Sequence, residues 1–334
     1  MPNVCYFLAN MELRSYICSM ENKEIAQTKT AAVKTTANTD NILEEFLAET
    51  DIRSTSRDVY RRQLRQFFNW VEETGRALDT LTSADLIAYK ECLLTERCLT
   101  PLTVSGYITA LKSFYRWAEG KKYYPNISAP VKQPKRKQSF KRQHLTEEQS
   151  HELLAHYEAI SLRDFAIVNL ILRTGLRTIE VARANVEDIT FKGGKRILVV
   201  WGKGRDSKED FVILTDKAYI PIKNYLATRK GAKAAEPLFI STSNRNENGR
   251  LTTRTISGIC KDGLRAIGLD DRAFCAHSLR HTTACQLLEH GASIAEVQGV
   301  LRHSSPATTQ IYVESVKEDM RLKNSAESRL DDVF

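Results

Sequence analysis

Residues Lys121 to Arg142 constrain the architecture more than any other stretch of this chain. Pro125, Pro130 and Pro134 interrupt the segment. It carries Lys121, Lys122, Lys132, Lys135, Arg136, Lys137, Lys141 and Arg142 and no acidic residue. Proline removes a backbone donor and clashes with the preceding turn, so a helix cannot run through it. Like charges without acidic partners favour a solvated segment. The chain is thereby divided into two parts that must each bury a core, and 334 residues are enough for that. Two uses fit the divider: a solvated spacer, or a strap laid along a phosphate backbone.

The part before the divider reads as helical. Residues 1–39 form a poorly ordered tail, because Ala26 to Thr39 is mostly Thr, Ala and Lys with little to bury. Met1, Met11 and Met20 are alternative starts. In residues 40–122, Ser54 and Ser56 are candidate caps for a helix running towards Gly75. Tyr60, Leu64, Phe67, Phe68 and Val71 then share one face. Ser83 is a candidate cap for a helix carrying Leu86, Ile87, Tyr89 and Leu93, and a third helix carries Val104, Ile108, Leu111, Tyr115 and Ala118. With Ile42 to Leu47 they make a four-helix domain. Its aromatic stripe reads as core, not as a platform for stacking bases.

The linker proper is 123–143 and a second domain spans 144–316. Thr146-Glu147-Glu148-Gln149 opens a helix as a capping box, and Leu162 to Leu172 reads as a buried helix. Asp188-Ile189, Ile197 to Trp201 and Phe211 to Leu214 read as strands, joined by Gly193-Gly194 and a polar loop from Gly202 to Asp210. Helices follow at Asp216–Thr228, Thr253–Ile267, Ser278–His290, Ile294–Leu301 and Pro306–Tyr312. The fold class expected is mainly α with a small antiparallel β-sheet. Residues 317–334 form a C-terminal tail, which by itself reads as a frayed end.

The net charge of +8 favours a polyanionic partner, either nucleic acid or an anionic membrane surface, although a basic protein with neither is an equal reading. No apolar run approaches the length of a membrane span. Asn10, Glu12 and Arg14 interrupt the apolar N-terminus, against a signal peptide. The seven cysteines are odd in number, scattered and without a Cys-x-x-Cys pair, which points to a reduced cytoplasmic protein.

Candidate chemistry lies in short pieces. Arg177 follows Thr174-Gly175-Leu176 at a helix start, and Arg280 lies in His277-Ser278-Leu279-Arg280-His281. Arginine stays charged and meets two phosphate oxygens at once, yet either residue alone would pass for a surface or ion-pair arginine. Lys203 sits between glycines in a hairpin loop, where it can approach another backbone and donate a proton, or simply be an exposed lysine. His277 and Arg280 are spaced to face one site, whereas His281 reads as packed or capping. Cys275, His277, His281 and Cys285 admit a zinc reading, but their spacing matches no known ligand pattern. His303 ends an apolar helix, and Tyr312 follows a polar turn that can return its phenol towards His303.

Thr174-Gly175-Leu176-Arg177-x-x-Glu180, Gly202-Lys203-Gly204, His277-x-x-Arg280-His281, Leu301-x-His303 and Tyr312, in this order, resemble the tyrosine recombinase (phage integrase) family over residues 40 to 320. The resemblance implies an N-terminal core-binding domain of the SAM-like type and an α+β catalytic domain, together forming a C-shaped clamp on double-stranded DNA. It implies Tyr312 as the nucleophile, forming a 3′-phosphotyrosine. Arg177 and Arg280 would clamp the phosphate, Lys203 would protonate the departing 5′ oxygen, His277 would assist proton transfer, and His303 would hydrogen-bond the phosphate. Glu180 would be a supporting acid. Lys132, Lys135, Arg136, Lys137, Lys141 and Arg142 would contact the DNA backbone. No metal or other cofactor is expected. The implied assembly is a homo-tetramer on two DNA sites in a bacterial cytoplasm, associated with the nucleoid, in which residues 317–334 would dock on a neighbouring protomer, with accessory recombination proteins left open. Integration, excision, resolution and inversion share this chemistry. A type IB topoisomerase and an inactive DNA-binding relative are the competing readings.

Overall fold

The computed structural model describes residues 39–135, 143–201, 208, 210–229, 231–303 and 305–323. The chain divides into two compact units, residues 1–138 and 139–334. Among the described residues no helix is long and apolar enough to cross a membrane.

The first unit holds four helices: α1 (39–49), α2 (Ser54–Glu73), α3 (Ser83–Thr95) and α4 (Pro101–Gly120). Their starts are set by capping, though not always by the expected residue. Ser54 is the first residue of α2, and Arg53 occupies the cap without a side-chain bond. Thr82, not Ser83, caps α3: the Asp85 carboxylate accepts from the Thr82 backbone N–H at 2.8 Å. Ser83 instead donates to the Ile127 carbonyl at 2.8 Å. Thr100 accepts from the Thr103 N–H, with Pro101 as the first helical residue of α4.

The aromatic stripe is core. Phe46, Phe67, Tyr89 and Phe114 are fully buried, and Phe67 meets Tyr89 edge-on at 5.1 Å between ring centroids. Ile87 is the exception, 42 % exposed on the outer face of α3. Phe67→Ala is expected to destabilise this unit by about 3–5 kcal/mol, the usual cost of removing a buried ring. A shifted denaturant midpoint at unchanged slope would show it.

The divider differs from expectation in its first half. Val131 is buried in the helical core, Tyr124 and Ile127 pack against it, and Lys121 pairs with Glu45 and Glu49 at 3.4 and 2.6 Å. Apolar residues between the prolines found a surface to bury against, and acids on α1 offset Lys121. Lys132 and Lys135 are exposed; Arg136, Lys137, Lys141 and Arg142 lie outside the described residues.

The second unit is built around α6 (Leu162–Thr174), which buries Ala166, Ile167, Val168, Leu170 and Ile171. The expected capping box opens α5 (Glu147–Ile160): the Gln149 N–H donates to the Thr146 hydroxyl and the Gln149 side chain accepts from the Thr146 N–H. After α7 (Thr178–Arg183) and a short turn of 3₁₀-helix come β1 (Ile189–Lys192), β2 (Lys195–Val200) and β3 (Asp210–Ile213). They pair antiparallel in the order β1-β2-β3, with Ile189 opposite Leu198 and Ile197 opposite Ile213. Gly193 and Gly194 close the first hairpin with φ of 56° and 75°, a type I′ geometry that β-carbons disfavour. Four of the remaining helices are α8 (Asp216–Ala227), α9 (Thr253–Ala266), α10 (Ala276–Glu289) and α11 (Ile294–Leu301). The last, α12 (Pro306–Lys323), runs well past Tyr312. Val316 is buried with Tyr312, Cys285 and Leu301, so the helix continues beyond its expected end at Tyr312 because the next turn also has a surface to cover.

Candidate active site

Gly175 fixes the geometry from which the site grows. It ends α6 in the left-handed conformation, φ 61°, and a β-carbon there would lie 2.5 Å from Leu301 Cδ2. Only glycine fits both the angle and the close approach. The turn sends Arg177 into the cap position of α7 and leaves the Gly175 carbonyl pointing at α10. There Arg280, 1 % exposed, donates through Nη1 to that carbonyl and through Nη2 to the Leu301 carbonyl at 2.5 Å. One guanidinium therefore ties together the ends of α6 and α11. Thr283, one turn on from Leu279 and Arg280, adds a bond to the Leu172 carbonyl at 2.9 Å.

Glu180 is the acidic centre. Its carboxylate is buried and accepts from Arg177 Nη1 at 2.9 Å, from the Arg177 backbone N–H at 2.8 Å, and from Arg302 Nη2 at 2.7 Å. Arg302 caps α11 in the left-handed conformation, φ 53°, which turns its side chain inwards. Two guanidinium groups thus bond one carboxylate, whose charge also acts on Arg280. Burial first, and then the Arg177 charge, lower the Arg280 pKa to about 10, so it stays protonated at neutral pH. Burial likewise lowers that of Arg302.

His303 and Tyr312 close the cluster. His303 shares a hydrogen bond between Nδ1 and the Thr309 hydroxyl at 2.9 Å, and its ring stacks on Tyr312 at 5.9 Å with 13° between planes. Tyr312 is 4 % exposed, and the His281 ring meets it edge-on at 4.9 Å. Burial raises the phenol pKa, while Arg280, by charge and hydrogen bond, and Arg177 pull it back. His303 is pushed down to about 4 by burial, then by Arg280, Arg177 and Arg302, so it is neutral at neutral pH.

That depressed value has a consequence for stability. An unfolded histidine titrates near 6.5, so below that pH the unfolded chain binds a proton that folded His303 refuses until about pH 4. The stability contributed by neutral His303 is present above pH ~6.5 and is lost as pH falls towards ~4. Wild type should lose about 2 kcal/mol more than His303→Gln between pH ~7 and pH ~5. Unfolding curves at the two pH values measure this.

The structure brings Arg177, Glu180, Arg280, His303 and Tyr312 together. His277 is exposed on the first turn of α10, near enough for its charge to act on His303. Lys203 lies outside the described residues, between β2 and β3 in sequence. His281 is fully buried, as its reading as a packed residue anticipated. Arg302 and Thr309 are additions. Arg302 occupies the unread position of Leu301-x-His303, and a cation between a helix end and a site histidine was the only signal for it. Thr309 reads in the sequence only as part of a polar turn.

Two family models match: the phage integrase family over residues 143–319, and the N-terminal SAM-like domain of phage integrases over residues 41–124. The tyrosine recombinase XerC of Caldanaerobacter subterraneus is 32 % identical over 241 residues, covering 70 % of this chain and 65 % of that protein. The tyrosine recombinase XerD of Xanthomonas campestris is 30 % identical over 293 residues, covering 83 % and 88 %. Among solved structures, the XerH site-specific recombinase bound to a palindromic difH substrate superposes with a TM-score of 0.68 at 19 % identity, covering 82 % of this chain and 80 % of that one. A lambda integrase dimer bound to a core site gives 0.61 at 17 % identity, covering 82 % and 76 %. At those identities the two structures speak to the fold. The chain belongs to the phage integrase family of site-specific tyrosine recombinases.

Proposed function

We propose that this protein cleaves and rejoins duplex DNA with Tyr312 as nucleophile. The Tyr312 oxygen attacks the scissile phosphorus, the bond to the 5′ oxygen breaks, and a 3′-phosphotyrosine forms. The phenol proton passes to a nearby base, and the departing 5′ oxygen takes up a proton. The energy of the broken bond stays in the new ester, so a strand bearing a free 5′-hydroxyl can reverse the attack. The supporting observation is the Arg177–Glu180–Arg302 cluster, with Arg280 hydrogen-bonded to the buried phenol beside it. Excess fixed positive charge in a half-dry pocket suits an anion whose charge grows in the transition state.

In this reading Arg177 and Arg280 hold the non-bridging oxygens, and Glu180 and Arg302 position Arg177. Neutral His303 hydrogen-bonds the phosphate, whose charge would offset the neighbouring arginines. His277 assists proton transfer at the phenol. Lys203, in the glycine-flanked loop, is assigned the proton for the leaving oxygen. Lys132, Lys135 and their basic successors lie along the DNA backbone, giving steep salt dependence. The protein works as a homo-tetramer on two sites, in the cytoplasm at the nucleoid or on a mobile element.

The test uses duplexes nicked close to the cleavage point, enriched for binding from a randomised pool. Cleavage then loses a short fragment and cannot reverse. Wild type should accumulate an adduct that survives denaturing detergent and disappears on proteolysis. Tight binding with no such adduct would contradict the reading.

A further inference from the structure

A second constellation lies behind the nucleophile. His281 and Cys285 occupy one face of α10, one turn apart, both fully buried. His144 faces them from the segment before α5, its ring stacked on that of His281 at 5.5 Å and 27°. One donor atom from each of the three lies within 4.8 Å of the other two, and Cys285 Sγ is 3.0 Å from His281 Nδ1. The segment bearing His144 is fastened on both sides: the Gln143 N–H donates to the Ala273 carbonyl at 3.3 Å, and the Leu145 N–H to the Thr282 hydroxyl at 2.8 Å. Glu289, one turn beyond Cys285, has a carboxylate oxygen 3.9 Å from His144 Nε2.

We propose that His144, His281 and Cys285 form a binding site for a borderline-soft divalent cation of the zinc class, with Glu289 or a water as fourth ligand. Zinc holds nitrogen at about 2.0–2.1 Å and sulfur at about 2.3 Å in a tetrahedron, which puts neighbouring donors ~3.3–3.7 Å apart. The three groups reach that spacing through small side-chain movements, since the backbone positions are already fixed. Two imidazoles and a thiolate select zinc or cobalt over magnesium or calcium. Binding replaces the Cys285 S–H bond by a metal–sulfur bond and releases the proton to solvent. The site differs from the zinc quartet that the sequence alone admitted: Cys275 and His277 are not among its ligands. Because the His281 ring packs on Tyr312, an occupied site would fix one wall of the nucleophile's socket.

Cobalt titration of chelator-stripped, reduced full-length protein tests the site without DNA, so its outcome is separate from that of the recombinase reading. One equivalent should bind with tetrahedral d–d bands and a near-ultraviolet thiolate-to-cobalt band, both bleached by zinc. Cys285→Ser should abolish the thiolate band. His144→Asn, at a half-buried position, should weaken uptake by about 10-fold or more. Circular dichroism melts establish that each variant is folded, and if Cys285→Ser is not, His144→Asn alone decides. Absence of the thiolate band in wild type, its persistence in folded Cys285→Ser, or unchanged uptake by His144→Asn would overturn the proposal.

Discussion

Tyr312→Phe is expected to abolish covalent attachment to DNA while leaving DNA binding within about 2-fold of wild type. The substitution removes one oxygen and keeps the ring. The contacts with His303, His281, Leu301 and Val316 are apolar or between rings, so they survive. What is lost is the hydrogen bond with Arg280 and the nucleophile itself. The cost in stability should be within the ~0.5–1.5 kcal/mol of one hydrogen bond. Attachment has no second route in this account, since the other hydroxyls described in the cluster are engaged, Thr309 with His303 Nδ1 and Thr283 with the Leu172 carbonyl. Adduct formed by Tyr312→Phe at even a tenth of the wild-type rate would place the nucleophile elsewhere.

Arg280→Ala should lower cleavage by about 10²–10³-fold, the usual cost of one charged transition-state contact. It should also destabilise the catalytic unit by about 3–5 kcal/mol, because two buried carbonyls lose their donor. These are the Gly175 and Leu301 carbonyls at the ends of α6 and α11. The two effects can be separated. Arg280→Lys keeps the charge but cannot span both carbonyls with a planar fork, so it should recover part of the cleavage rate and little of the stability. Calorimetry of the free protein and adduct formation under saturating DNA report the two quantities. Equal recovery of both by lysine would mean that the fork has no structural role.

Much of the site was legible because its residues sit at punctuation marks of the fold. Gly175 ends α6, Arg177 begins α7, Arg280 lies in the first turns of α10, and His303 follows the end of α11. Glycine, capping patterns and apolar periodicity mark such ends in the sequence. Other features had no local signal. That Arg302 turns inwards depends on a left-handed backbone and on Glu180, which is distant in sequence. Thr82 rather than the adjacent Ser83 caps α3 because either hydroxyl suits the place and only the backbone angle decides, whereas α2 starts after Arg53, which makes no side-chain cap bond that a sequence pattern could mark. The packing of Val131 and the continuation of α12 depend on surfaces offered by other helices. The basic, proline-divided segment showed where one unit ends but hid how much of itself that unit absorbs. The meeting of His144 with His281 and Cys285 is tertiary altogether, since His144 lies far from α10 in sequence.

The most direct measurement is mass spectrometry of the peptide left attached to DNA after nuclease and protease digestion of the trapped complex. The account predicts a peptide containing Tyr312 that carries a nucleotide through its phenolic oxygen, linked to the 3′ phosphate. A nucleotide on any other residue, or a linkage to a 5′ phosphate, would contradict it.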